Sequence, residues 1–258
     1  MFIETHCHLD YLKAEALEEL LLKAAEAQIE KIITIGVDPQ NLDGVMSLSQ
    51  NNEKIYFTQG IHPHDAKEAS EVDFNKIIQR SKMPKMVAVG EIGLDYHYNN
   101  SPQDVQKQVF EKQLQLACDN DLPVVIHTRD ADEDTRDILK NFIPFLKRKG
   151  VVHSFTSGKE LAEYVLSEGF YLGFNGIITF KKAENVQEIV KIAPLEQILF
   201  ETDSPFLTPV PHRGKENAPY YLPFVAHKVA ELKGETIEKI LPIVYQNSFK
   251  CFSKLANK

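Results

Sequence analysis

Short apolar runs alternate with longer stretches of helical periodicity along the whole chain. The runs fall at residues 2–5, 31–35, 55–60, 86–90, 123–126, 151–152, 170–172 and 198–200, and are rich in Val, Ile and Phe. They are apolar at successive positions, which predicts strands buried on both faces, as in a parallel sheet. Between them, apolar residues recur at helical spacing. Residues 14–28 place Leu17, Leu20, Leu21 and Ala24 on one face. Residues 102–120 predict a helix with Ser101 as N-cap and Pro102 in the first turn. Residues 158–168, 183–192, 223–233 and 236–250 predict further helices. Eight strands alternating with helices predict an α/β fold, and eight such units predict closure into a (β/α)₈ TIM barrel in place of an open doubly wound sheet.

The polar residues sharpen this picture. His6 and His8 follow the first run, His62 and His64 the third, Glu91 the fourth, His127 the fifth, His153 the sixth and Asp203 the eighth. All therefore gather at the C-terminal ends of strands, where the loops of a barrel of this kind converge over its mouth. In extended chain, side chains alternate, so His6 and His8 point the same way and Cys7 points away. Two imidazoles on one side can grip a metal ion. A buried Glu91 needs a cation or hydrogen bonds to offset its desolvation. Each polar residue alone has a plainer explanation, a hydrogen-bonded core histidine or a structural ion pair. Their recurrence at one end of successive strands favours a metal centre. Four imidazoles and two carboxylates are too many for one tetrahedral ion and suit two ions with a bridging carboxylate. Nitrogen-rich ligation favours Zn, Mn, Fe or Co over Ca and is unusual for Mg.

Composition changes the picture in three ways. The 258 residues suit one barrel, and without repeats, low-complexity tracts or linkers a single domain over 1–258 is expected. The net charge of −8 excludes a protein that coats nucleic acid through its whole surface. Cys7, Cys118 and Cys251 form no CxxC pair, which argues against a disulfide framework or thiolate metal site. No basic leader with an apolar core, no long apolar window and no C-terminal lipidation signal is visible, so a cytoplasmic protein without membrane attachment is expected.

With these residues in place, the chain resembles the TatD family of metal-dependent deoxyribonucleases, within the amidohydrolase-like barrels. The resemblance runs over essentially the whole length. It rests on five blocks in register: Thr5-His-Cys-His-Leu-Asp10, Gly60-Ile-His-Pro-His64, Val89-Gly-Glu-Ile-Gly-Leu-Asp-Tyr96, Pro123-Val-Val-Ile-His-Thr-Arg-Asp130, and the stretch from Glu201-Thr-Asp-Ser-Pro to Arg213-Gly-Lys215. The resemblance implies that His6, His8, Glu91 and Asp203 hold one ion and that Glu91, His127 and His153 hold the second, with Glu91 bridging. It places His62 and His64 near the substrate. Two departures stand out. The block after His153 reads Ser-Phe-Thr-Ser-Gly where the family usually has Cys and then Ser-Gly, and Glu216 stands where a basic residue is frequent.

The resemblance implies hydrolysis of DNA phosphodiester bonds, single-stranded DNA being the expected transient partner, by water activated at a dinuclear centre of Mg, Mn or Zn. Glu91 and Asp203 are the expected catalytic carboxylates, Asp203 also accepting a proton from the water. Arg213, in the Pro-rich loop, is the first candidate to bind phosphate, and Arg129 the second unless a salt bridge to Asp130 or Asp132 consumes it. Tyr96 and Phe206 are candidates to stack on a base. His212 adjoins Arg213 and could reach substrate. Residues 147–149 precede the sixth strand and belong to the opposite face. A barrel hydrolase of a small ester, lactone or cyclic amide is the enzymatic alternative, and an idle scaffold barrel the non-enzymatic one. DNA against RNA, the polarity of attack and the oligomeric state, monomer included, stay open.

Overall fold

The computed structural model describes residues 1–256; Asn257 and Lys258, the end of the stretch read for lipidation, lie outside the described residues. Eight parallel strands follow chain order around the sheet. They are β1 (Phe2–Cys7), β2 (Ile29–Thr34), β3 (Ile55–Gln59), β4 (Met86–Asp95), β5 (Val124–Arg129), β6 (Gly150–Val152), β7 (Tyr171–Phe174) and β8 (Ile198–Phe200). The helices are α1 (Leu17–Glu26), α2 (Leu42–Gln50), α3 (Glu71–Arg80), α4 (Gln103–Asp119), α5 (Asp132–Phe142), α6 (Lys159–Ser167), α7 (Glu184–Ile192), α8 (Leu222–Lys233) and α9 (Ile237–Cys251). The fold is the expected (β/α)₈ barrel. Hydrogen bonds close it between β8 and β1: Thr5 Oγ1 donates to Phe200 O (2.9 Å), Asp203 N to His6 O (2.9 Å) and His8 N to Ser204 O (2.8 Å).

Three expectations need correction. First, His6, Glu91 and His127 lie inside strands and do not follow them. β4 and β5 stay paired past the apolar runs, Gly93 opposite His127 and Asp95 opposite Arg129. Gly93 permits this: its φ is +139°, and a Cβ there would sit 1.9 Å from His127 O. Second, Ser101 does not cap α4. Pro102 occupies that place, while Ser101 Oγ donates to His64 O (2.8 Å) and accepts from Lys67 N (3.1 Å). It thus fastens the 3-10 turn after β3 to the loop after β4. Third, α2, α3 and α5 were not expected. Their apolar faces are thin, with Leu42 and Val45, Phe74 and Ile77, and Ile138 and Leu139 buried. Local effects support two of them: a Ser70/Asp73 capping box on α3, and Asp132, Glu133 and Asp134 in the first turn of α5.

The two-residue repeat of the strands puts Val125 beside His127, Val151 beside His153 and Leu199 beside Glu201 on common faces. The aliphatic members join Ile33, Ile35 and Val87 in an apolar cluster that Phe252 and Leu255 extend. Polar site residues therefore stand one pleat above an apolar floor. As expected, Arg148 and Lys149 lie at the other end, bonded to Asp121 and Ile143 O. Among the described residues no helix is long and apolar enough to cross a membrane.

Candidate metal centre

Glu91, buried in β4, is the hub. Its Oε1 lies 2.7 Å from His153 Nε2, 3.1 Å from His127 Nδ1 and 3.4 Å from His62 Nε2, and its Oε2 lies 3.4 Å from His6 Nε2. Asp203 Oδ1 meets His8 Nε2 at 3.4 Å and His6 Nε2 at 3.6 Å. The His6 and His153 rings stack in parallel, with centroids 3.8 Å apart. All six residues expected as ligands converge. Among the described residues, three donor groups are compact enough to hold an ion: His6 with His8 and Asp203, His62 with Glu91 and His127, and His6 with His153 and Glu201.

Divalent ions fit this donor set. Both nitrogens of His6, and Nδ1 of His8 and of His153, are buried without a hydrogen-bond partner. Unpartnered buried polar atoms are costly, and metal ligation is one way to offset that cost. The electrostatics agree. Burial alone would raise the Glu91 carboxyl, but His153, His62 and His127 outweigh it and hold the group well below the usual carboxylate range. Burial likewise raises Asp203, and His8, His6 and His153 more than reverse it. Burial dominates at His62 and pushes it down to about 4, leaving the ring neutral at pH 7.

Hydrogen bonds fix which nitrogen each ring presents. His127 Nε2 faces Asp95 Oδ2 at 3.0 Å, which orients the ring and leaves Nδ1 toward Glu91 Oε1, where it donates while the ring is protonated and would turn its lone pair to a bound ion. His62 has the opposite arrangement. Its Nδ1 accepts from His64 N (3.1 Å), so Nε2 carries the proton and meets Glu91 as a donor. Although its distance would admit an ion, His62 in this arrangement is a hydrogen-bonding group beside the other donors.

Three buried carboxylates escaped the sequence reading. Asp95 Oδ2 takes both His127 Nε2 and His64 Nε2 (3.1 Å), while its Oδ1 accepts Tyr98 N (2.9 Å). Glu201 Oε1 accepts Ser154 N (2.6 Å) and lies 3.7 Å from His153 Nδ1. A Cβ on Gly173 would come within 2.3 Å of Glu201 Oε2, so only glycine leaves room for this carboxylate. Glu4 Oε1 accepts His6 N and Thr202 N, each at 3.0 Å. The signal for all three was the two-residue repeat: Glu4 precedes His6 by two, Glu201 precedes Asp203 by two, and Asp95 stands four beyond Glu91.

Two predictions arise here. Carboxylates that orient ligating imidazoles typically contribute 10- to 100-fold to metal affinity. Asp95→Asn is therefore expected to weaken binding at the ion position of His127 by about that factor, with the other ion retained. Calorimetric titration with Mn²⁺ checks it; two unchanged binding steps would refute the role. The second concerns Glu4. Burial pushes its carboxyl up to about 8 from 4.5, against the N–H groups that favour its charged form. Between those values the folded protein keeps a proton that the unfolded chain has released, so stability falls as pH rises through the window. Metal-free Glu4→Gln is expected to show a flatter Tm than wild type from about pH 5 to 8. Parallel Tm curves would refute the assignment.

The centre forms the floor of a cavity of about 660 Å³ whose lining includes His62, His64, Arg129, Phe206 and Leu207. Two candidate substrate residues lie elsewhere. Tyr96 lines an adjoining cavity, its hydroxyl donating to Asp134 Oδ2 (2.6 Å). Arg213 lies outside the metal pocket, which corrects its expected role: its guanidinium stacks on Phe180, 3.9 Å from the ring centroid, and donates to Thr208 O (3.5 Å). Thr208 and Asn217 fold the Pro-rich loop back on itself through bonds to Lys215 O, Thr202 O and Phe206 O. His212 packs on Tyr221 and Phe224.

A family model described as TatD related DNase matches residues 3–253. The chain belongs to the TatD family. Members similar to it include the uncharacterized metal-dependent hydrolase YabD of Bacillus subtilis, 41% identical over 98% of this chain and 99% of that protein. YcfH of Escherichia coli, likewise an uncharacterized metal-dependent hydrolase, is 34% identical over 97% and 95%. The crystal structure of the E. coli TatD homologue YjjV superposes with a TM-score of 0.92 at 32% identity, covering 98% of both chains. Both departures described above make local contacts. Ser154, directly after His153, accepts from Asn175 Nδ2 at its Oγ (2.8 Å) and donates its N–H to Glu201 Oε1 (2.6 Å). Glu216 Oε1 accepts Lys13 N and Ala14 N, which ties the Pro-rich loop to the segment after β1 and away from the pocket.

Proposed function

We propose that this metal-dependent hydrolase of the TatD family cleaves phosphodiester bonds of DNA, single-stranded DNA in preference, with two divalent ions held by His6, His8, Glu91, His127, His153 and Asp203. Bound there, such ions supply Lewis acidity and lower the pKa of coordinated water.

The observation that carries the phosphate reading is Arg129. It is half-buried, lines the metal pocket, and has no carboxylate partner among the described residues. Its acidic neighbours are engaged elsewhere: Asp130 with His97 (2.9 Å), Asp132 with Gly158 N (3.0 Å), and Asp134 with Lys107 and the Tyr96 hydroxyl. A guanidinium held over the Tyr98 ring, 4.8 Å from its centroid, and left without an anion is prepared for one. In a protein of net charge −8 this local cation attracts a phosphate that the wider surface would repel.

The other residues take complementary parts. Asp203 accepts the proton of the attacking water. Its φ of +56° turns the carboxylate toward His6 and His8. His62, its Nε2–H turned to Glu91, helps to hold that carboxylate in place beside the pocket. Phe206, 51% exposed beside His8, presents an aromatic face at the rim on which a base can stack.

Hydrolysis of bis(p-nitrophenyl) phosphate beside p-nitrophenyl acetate, a γ-lactone and a hydantoin, all with Mn²⁺, tests this reading. The phosphodiester is expected to be the best substrate, and Arg129→Ala to lower its kcat/KM by roughly 10²-fold, as for loss of a charge-stabilising donor. Faster turnover of the lactone or hydantoin, untouched by Arg129→Ala, would replace the phosphodiesterase with the small-molecule hydrolase.

A further inference from the structure

A second cavity, of about 570 Å³, opens beside the metal pocket, and the two share Arg129 and Thr156. Its size is that of a site for a small organic group. Its charge is unlike that of a phosphate site. Beyond Arg129 the wall carries Asp130, Asp132, Glu133 and Asp134; Lys107 pairs with Asp134 and His97 meets Asp130, while Asp132 and Glu133 have no cationic partner among the described residues. The Tyr96 ring forms another part of the wall, its hydroxyl fixed on Asp134. The cavity thus offers one cation at its entrance, then an aromatic ring and a row of hydrogen-bond acceptors.

We infer that this cavity seats the terminal nucleoside of the strand, one that carries no further phosphate. The inference rests on the phosphodiesterase reading above. With the scissile phosphate over the metal centre, Arg129 stands between that phosphate and the second cavity. A sugar hydroxyl or the N–H groups of a base entering there meet carboxylate acceptors. A second phosphate at the same place meets like charges from α5 and the loop before it. Because Asp130 and Glu133 are exposed to solvent, this repulsion is screened by salt, whereas a steric block would not be.

Matched single-stranded oligonucleotides ending in hydroxyl or phosphate, at the 5′ end in one pair and at the 3′ end in the other, test the subsite. Release of the terminal nucleotide is followed with Mn²⁺ at low and high salt. At one of the two ends the hydroxyl form is expected to react about tenfold faster at low salt, a ratio of the size that one or two partly screened like-charge contacts produce. The ratio should shrink toward one at high salt. It should also shrink in the triple variant Asp130→Asn, Asp132→Asn, Glu133→Gln, whose folding is checked by Tm. Equal rates at both ends, or a ratio that survives both salt and the triple variant, would overturn the subsite while leaving the nuclease intact. No cleavage of any oligonucleotide would overturn the nuclease reading, and the subsite with it.

Discussion

Glu91→Gln is expected to reduce bound metal from two ions to at most one and to lower phosphodiester hydrolysis by at least roughly 10²- to 10³-fold. Four imidazoles face this one carboxylate at 2.7–3.4 Å, and its two oxygens serve the two ends of the donor set. An amide keeps the shape but loses the charge, and it turns an N–H₂ toward rings that need an acceptor or a shared ion. The His62 Nε2–H and the N–H₂ of the new amide would then be donors in opposition, and the ring or the amide must rotate away. Metal analysis of the purified variant beside wild type reads the first effect, and initial rates read the second. A variant that still holds two ions would remove Glu91 from the bridging position.

Asp203→Asn is expected to lower the rate by roughly 10²- to 10⁴-fold, the usual range for loss of a general base, with the fold retained. The backbone tolerates this change. Asp203 sits in the left-handed region at φ +56°, where Asn is among the best-tolerated residues, and its N–H bond to His6 O closes the barrel whichever side chain is present. What changes is the charge facing His6 and His8 and the oxygen that takes the proton. A Tm close to that of wild type with activity lost is the expected pattern. A rate within a few-fold of wild type would show that another group accepts the proton.

The strands and the site were legible because one rule governs both. Buried parallel strands show as continuous apolar runs, and the His, Glu and Asp residues just after the runs mark the mouth of the barrel. That logic located His6, His8, Glu91, His127, His153 and Asp203. It stopped one step short, because polar residues can lie within a paired strand as well as after it. Followed two residues back, the same repeat reaches Glu4 from His6 and Glu201 from Asp203, and followed four residues on it reaches Asp95 from Glu91. It also separates the two arginines. Arg129 lies two residues beyond His127 on β5 and so shares its face, which puts the guanidinium in the pocket. Arg213 lies in a loop whose path depends on the bonds of Thr208 and Asn217, and no periodicity encodes that. Helices α2, α3 and α5 were missed for a related reason: each buries little apolar surface, and capping and charge at the first turn help to define two of them.

Cleavage of end-labelled single-stranded DNA by chelator-stripped protein, with Mg²⁺ or Mn²⁺ added back and Asp203→Asn run alongside, tests the two-metal nuclease most directly. The expected result is no cleavage without metal, a product ladder when metal returns, and none from the variant. Metal-loaded wild type that leaves the DNA intact, while its ions are shown to be bound, would contradict it.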